Sequence, residues 1–146
     1  MTQDRIDLDV SVGYALKHAA AALRTSMDAA LRPLDLNVSQ YSCLEVLGHR
    51  PGLSVAELAR ATFVTRQSMH TVLQGLQDRG LLSRPASVPS GRALPTRLTP
   101  DGTHLLTRAS AAVAEVEASM LRDLSAAARV RLHGDLVACT SALVEG

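Results

Sequence analysis

The stretch that decides the fold runs from Ser54 to Thr99 and reads SVAELARATFVTRQSMHTVLQGLQDRGLLSRPASVPSGRALPTRLT. Ser54 and Glu57 have the three-residue spacing of a capping box, which predicts the start of a short helix. After a break at residues 62–64, Thr65 is a candidate cap for a second helix. Two helices separated by so short a break predict a helix-turn-helix.

The second helix is predicted to have one buried face and one polar face. Its apolar residues recur at i, i+3, i+4 and i+7, and they are Met69, Val72, Leu73 and Leu76. The polar residues lie off that face, and they are Arg66, Gln67, His70, Thr71 and Gln74. Gly80 fits the left-handed position just past a helix end.

After this helix the apolar residues no longer recur at helical spacing. Residues 81–84 and 96–99 are typical of two short strands, and the segment 85–95 between them is rich in Pro, Ser and Gly. Two strands around a loop that contains Gly predict a hairpin. A helix-turn-helix followed by a hairpin is a winged helix-turn-helix.

Positive charge collects in this part of the chain. Seven arginines and only two acidic residues lie between Arg50 and Leu98, a net charge of +5, whereas the whole chain has +1. A basic central segment between acidic flanking segments indicates a polyanionic partner. Arginine can bind phosphate or guanine in bidentate fashion. A solvated charged face is the alternative, and the placement on a helix-turn-helix favours the polyanion.

The order of these parts and several local strings resemble the MarR family of bacterial transcription regulators. The matching strings are SVAELA at residues 54–59, QDRGLL at residues 77–82 and RLTPDG at residues 97–102, together with the wing residue Arg92. The flanking helices also fit, so the resemblance covers nearly the whole chain. One position departs from the family: its wing carries an Asp two residues before the Arg, and here that residue is Ser90.

Long apolar stripes flank the winged unit. We expect a first helix from Val10 to about Leu31, a helix capped by Ser39, a helix from Pro100 to about Leu124, and a last helix to the end of the chain. A small winged unit cannot bury three such stripes alone, so a homodimer is predicted, as the resemblance also implies; a monomeric helical bundle is the alternative. The predicted fold is mainly α with a small β-hairpin. One domain spans 1–146, with residues 38–99 as the winged helix-turn-helix and residues 10–36 and 100–146 as dimerisation helices.

The resemblance implies a ligand-responsive repressor that binds double-stranded DNA at a pseudo-palindromic operator. In the family the second helix enters the major groove, where Arg can pair with guanine and Gln with adenine, and the wing Arg enters the minor groove. The predicted DNA-binding residues are Ser39, Thr65, Arg66, Gln67, His70, Thr71, Gln74, Arg84, Arg92 and Arg97. A winged-helix module that binds proteins instead of DNA is the alternative, but the polar face of the second helix favours DNA.

Family members often bind phenolic or other lipophilic small molecules between the dimer helices and the winged unit. The residues predicted to line such a pocket are Tyr14, His18, Met27 and Tyr41, for which ordinary packing is the alternative. Cys43 and Cys139 lie on apolar stripes, which predicts buried, inert thiols and not a redox switch.

The sequence carries no motif typical of a catalytic, metal or cofactor site. No glycine-rich phosphate loop, GxSxG elbow, HExxH string or Cys/His metal spacing occurs, so we expect neither an enzyme nor a cofactor. The polar N-terminus and the lack of a long apolar run predict no signal peptide and no membrane span. A cytoplasmic protein is therefore expected.

Overall fold

The computed structural model describes residues 5–84 and 96–145, which form six helices and one short hairpin. The helices are α1 (Val12–Leu31), α2 (Val38–His49), α3 (Val55–Thr62), α4 (Arg66–Asp78), α5 (Pro100–Leu121) and α6 (Ala126–Val144). A short 3-10 turn (Arg32–Leu34) joins α1 to α2. Strands β1 (Leu82–Ser83) and β2 (Arg97–Leu98) pair antiparallel, with Leu82 opposite Leu98. The predicted fold class, mainly α with a small hairpin, is confirmed.

The core lies where α2, α3 and α4 pack together beneath the hairpin and α5. Leu58 of α3 and Met69 and Leu73 of α4 are fully buried, so the two helices of the helix-turn-helix share one apolar contact surface. Burial of a side chain of this size stabilises the fold by about 1.5–3 kcal/mol. This packing fixes the direction in which α4 presents its other face.

Side-chain caps set the starts of most helices, as the sequence predicted. Ser54 and Glu57 form a complete capping box at α3, with both hydrogen bonds at 3.2 Å. These bonds also hold the pKa of the Glu57 carboxyl below its usual range. Thr65, Thr99 and Ser125 cap α4, α5 and α6 through their hydroxyl oxygens.

Two predicted helix starts were wrong by one or two residues. The cap of α2 is Asn37 and not Ser39, because the Asn37 side chain accepts the N–H of the third helical residue at 2.8 Å within a capping box. Ser39 is then the second residue of the helix. Similarly, Ser11 caps α1, so this helix begins at Val12 and not at Val10.

The end of α5 was also predicted too late. The helix ends at Leu121 and not near Leu124. Arg129 of α6 donates to the Leu121 carbonyl at 2.9 Å and to the Leu124 carbonyl at 3.1 Å. Because the last carbonyls of a helix have no partner within it, these bonds stabilise the break between α5 and α6.

The exit from α4 is tied to the start of α5. Gly80 has a φ of 73°, the left-handed conformation predicted for it. The Thr99 hydroxyl donates to the Gly80 carbonyl at 2.6 Å, and the Thr99 N–H donates to the Leu81 carbonyl at 3.1 Å. A Cβ on Gly102 would lie 1.9 Å from the Leu81 carbonyl oxygen, so only glycine fits there. These contacts join the QDRGLL and RLTPDG strings in the structure.

The last helix remains unburied within the protomer. None of the 19 residues of α6 is buried within the protomer, and the sequence predicted an apolar stripe along this helix that a second chain would cover. Its exposed apolar residues include Val130, Leu132, Leu136, Val137, Leu143 and Val144. None of the described helices is long and apolar enough to cross a membrane.

Candidate nucleic-acid interface

The outer face of α4 is polar and exposed. The residues predicted there, Arg66, Gln67, His70, Thr71 and Gln74, are all exposed in the structure. The Gln74 amide donates to Asp78 at 2.8 Å, and the Thr71 hydroxyl donates to the Gln67 carbonyl at 3.4 Å. The C-terminal half of this face is therefore occupied by a side-chain hydrogen bond between Gln74 and Asp78, and it carries the negative charge of Asp78. Arg66, Gln67 and His70 occupy the end that faces away from Asp78.

The N-terminus of α4 is held by Thr65. The Thr65 hydroxyl oxygen accepts the Ser68 N–H at 3.0 Å and also contacts the Ser68 hydroxyl at 3.0 Å. The first turn of the helix keeps its other N–H groups unpaired within the helix, as every helix does. Arg66 follows directly, so a guanidinium and a positive helix end lie side by side.

The basic residues of the hairpin differ in their surroundings. Arg84 is half-buried, and its Nε donates to the Gln77 side chain at 3.3 Å, which ties it to the end of α4. Arg97 is exposed on β2, where it pairs with Ser83 of β1. Arg92 and Ser90 lie outside the described residues.

The start of α2 is less suited to phosphate than the sequence suggested. Besides the Asn37 cap, the Asp28 carboxylate of α1 accepts the Val38 N–H at 3.0 Å. A carboxylate already occupies this helix end, and a second anion beside it would be repelled. This carboxylate argues against a phosphate contact at Ser39, which stays a prediction.

The four residues predicted to line a ligand pocket fall in three different surroundings. Tyr14 and His18 stack edge to face on α1, with ring centroids 4.5 Å apart. Met27 packs against the core. Tyr41 is buried, and its hydroxyl donates to Glu45 at 3.0 Å. Burial, reinforced by that bond, raises the pKa of Tyr41 to about 12, so the phenol is a neutral donor.

Glu45 is the residue that the sequence analysis missed. It accepts hydrogen bonds from Tyr41 and from the Ser110 hydroxyl of α5 at 2.6 Å, and it lies 2.9 Å from His49 Nε2. Burial acts to raise the pKa of Glu45, but these three partners hold it below its usual range. The four-residue spacing of Tyr41, Glu45 and His49 on one helix face was a signal in the sequence. The sequence carries no signal for the contact between Glu45 and Ser110, because the two residues are far apart in the chain.

Glu45 and His49 line an open groove of about 590 Å³ between α2, β2 and α5. Arg97 and Leu98 of β2 border it on the side of the hairpin. Residues of α5 form the opposite wall, and they are Thr103, Leu106, Thr107 and Ser110. We call this the α2–β2–α5 groove. It combines an apolar floor, hydroxyl groups, a carboxylate and a guanidinium.

A second groove, of about 660 Å³, separates α1 from the C-terminal half of α5. Most of its lining residues are small or apolar, although Glu115 and Arg122 also line it; the small and apolar ones include Ala19, Ala22, Leu23, Ala112, Val116 and Met120. The small residues suit the close packing of another helix.

The two cysteines have different surroundings. Cys43 is fully buried, and burial raises the pKa of its thiol to about 12. Cys139 is exposed on α6 in the protomer, so its predicted burial is not seen there.

Comparisons with known proteins agree with this geometry. A MarR family profile matches residues 34–93. The HTH-type transcriptional repressor Rv2887 of Mycobacterium tuberculosis is 48% identical over 118 residues, which cover 81% of this chain and 85% of that protein.

Crystal structures of that repressor also superimpose on this one. Its complex with DNA has a TM-score of 0.76 at 40% identity, and covers 90% of this chain and 98% of that one. Its complex with salicylic acid has a TM-score of 0.74 at 44% identity, and covers 90% of this chain and 97% of that one. Identity and coverage of this extent, over a shared winged helix-turn-helix, show that the chain belongs to the MarR family of transcription regulators.

Proposed function

We propose that this protein is a ligand-responsive, homodimeric transcriptional repressor that reads a pseudo-palindromic DNA operator with the N-terminal half of α4. The observation that carries the proposal is the division of α4 into a buried apolar face and an exposed face with Arg66, Gln67 and His70 near its start. Helix-turn-helix proteins contact base edges with this part of the second helix. The similarity to a repressor crystallised with DNA supports the same role here.

A protein-binding winged helix is the competing function. Such a module would present exposed apolar residues on the outer face of α4, because the buried core of a protein interface is depleted in charged residues. The five outward residues of this face are polar or charged, which supports DNA as the partner.

The exposed apolar surface supports a homodimer. A 19-residue helix with no buried residue is not stable as the outer layer of a monomer unless something covers it. The groove between α1 and α5 has the small residues that close helix packing needs. We infer that a second copy covers α6, with a total buried area above about 2,000 Å².

The α2–β2–α5 groove is the proposed effector site, and an aromatic acid is the proposed class of effector. Arg97 offers a guanidinium for the carboxylate, and Leu98 and Leu106 offer apolar contact for a ring. Arg97 is also a predicted phosphate contact. An effector carboxylate that binds Arg97 would therefore compete with the DNA backbone for the same guanidinium, which links effector binding to release of the operator.

A fluorescence anisotropy titration tests this function. The protein is bound to a duplex selected from a random DNA pool, and salicylate is added; salicylamide, which has the same ring but no carboxylate, is the matched control. We expect release by salicylate only. Arg97→Ala should bind the duplex more weakly and lose the response to salicylate. A normal response of Arg97→Ala would place the effector elsewhere, and failure to select any DNA would contradict the proposed function.

The proposal includes no catalytic activity, since the family consists of transcription regulators. A repressor acts on the chromosome, so the proposed location is the cytoplasm.

A further inference from the structure

The turn between α3 and α4 exposes a phenylalanine. Phe63, the only phenylalanine of the chain, is 95% exposed. Its neighbour Val64 packs against the core, so the turn itself is anchored without it. Exposure of a large aromatic side chain gives no hydrophobic stabilisation to the folded protomer.

The backbone at Phe63 is also in an unfavourable conformation for this residue. It ends α3 with a φ of 60° and a ψ of 38°, the left-handed region that glycine or asparagine usually occupies at a helix end. A bulky side chain is rare there. Strain of this kind is kept where a function requires the residue. The fold alone gives no reason for a phenylalanine at this position.

We propose that Phe63 is a specificity-determining contact that packs against a thymine methyl group of the operator. It lies two residues before the Thr65 cap and three before Arg66, on the turn that leads into the start of α4. The inference rests on the proposed function, in which the start of α4 enters the major groove. There the methyl group of thymine is the apolar feature of the bases, and phenylalanine is one of the side chains that contact it.

The surroundings of Phe63 favour DNA over a protein partner. Arg60 and Arg66 lie three residues to either side of it, and both are exposed. The outward residues of the adjoining α4 are polar. A docking site for a protein would extend the apolar surface, whereas the exposed residues three positions to either side of Phe63 are arginines.

The test replaces the thymine methyl and the side chain separately. The probe is the duplex that the wild-type protein selects from a random pool, with each thymine changed in turn to deoxyuridine, which lacks only the methyl group. Wild type should lose affinity by about fourfold for the contacted methyl in one half-site and about 15-fold for both, as loss of one buried methyl-sized group implies.

Phe63→Asn keeps a residue that tolerates the left-handed turn, so it should retain the thermal midpoint but show no difference between thymine and uracil. Ile6→Asn, which replaces an apolar residue that is 73% exposed before α1, is the control and should behave as wild type.

Each outcome decides the inference. If Phe63→Asn binds the thymine duplex as tightly as wild type does, the contact does not exist and a protein partner gains support. If it weakens both duplexes equally and still shows the wild-type difference between them, Phe63 does not read the methyl group. If the wild-type protein selects no DNA, the proposed function fails together with this inference, and that result is distinct from the other two.

Discussion

The Ser110 hydroxyl of α5 donates a 2.6 Å hydrogen bond to the Glu45 carboxylate of α2. This bond joins a helix of the winged unit to a helix that extends beyond it. Tyr41 and His49 complete the set of partners around the same carboxylate. The cluster borders the proposed effector groove, so the position of α5 relative to α2 depends on groups that an effector can reach.

Ser110→Ala should destabilise the protein at neutral pH and have less effect in acid. A hydrogen bond to a charged group contributes about 1.5–3 kcal/mol, and the partial exposure of Glu45 reduces this to about 1 kcal/mol. The folded-state pKa of Glu45 is lowered, so its contribution is complete above the unfolded value of about 4.3 and is lost as the pH falls through the folded value.

Urea unfolding of wild type and Ser110→Ala at pH 7 and pH 3.5 measures this difference. Thr107→Ala removes another hydroxyl from α5, one that bonds only within its own helix, and serves as the control. A cost of Ser110→Ala that is equal at both pH values would show that the charge of Glu45 is not involved.

Cys43 should not act as a redox switch. Its side chain is fully buried and its thiol pKa is about 12, so almost no thiolate exists at neutral pH. A thiol reagent should therefore modify the native wild type and native Cys43→Ala to the same extent, and DNA affinity after peroxide treatment should be the same for both. Loss of an oxidant response in Cys43→Ala would contradict this assignment.

Substitution on α6 should separate the dimer. Leu136→Glu places a charge among the exposed apolar residues of this helix, and an unpaired charge buried in an interface is costly. Light scattering at micromolar concentration should give a dimer mass for wild type and a monomer mass for the variant, and circular dichroism should show whether the helices persist. A monomer mass for wild type would contradict the homodimer.

The local sequence signals predicted the helix-turn-helix correctly because its capping groups lie within three residues of what they cap. Ser54 at α3 and Thr65 at α4 are the examples. The start of α2 was placed wrongly because Asn37 and Ser39 are both good caps, and the choice depends on the Gln side chain that closes the box at Asn37.

Features that depend on distant contacts could not be predicted. The bond between Glu45 and Ser110 joins α2 to α5, and α3, α4 and the hairpin lie between these helices in the chain. Phe63 is exposed and has a left-handed backbone, and neither could be predicted because glycine is the residue that usually indicates such a turn. The apolar stripe of α6 is clear in the sequence but exposed in the protomer, and the second chain that we propose to cover it could not be placed from one sequence.

The wing arginine should contribute to affinity more than to base preference. In the sequence Arg92 follows Ser90 and Gly91, within the segment predicted to be the loop of the wing, so we expect it to reach a narrow groove without a fixed bidentate geometry. Arg92→Ala should therefore weaken binding to nearly all sequences by a similar factor and reduce the salt dependence by roughly one released ion per half-site. Arg108→Ala removes an exposed arginine of α5 and controls for the change in net charge. A changed base preference in Arg92→Ala would show that the wing reads sequence.

The most direct test of base reading by α4 is a set of binding isotherms for wild type and Arg66→Ala on the selected operator and on its single-base variants. If Arg66 pairs with guanine, Arg66→Ala should cost roughly 1–3 kcal/mol and lose discrimination at one position in each half-site. The two positions should be related by the two-fold symmetry of the dimer, with half-sites about one helical turn apart. Equal weakening of every site would contradict base reading by Arg66, and unchanged binding to all of them would show that this face of α4 does not touch DNA.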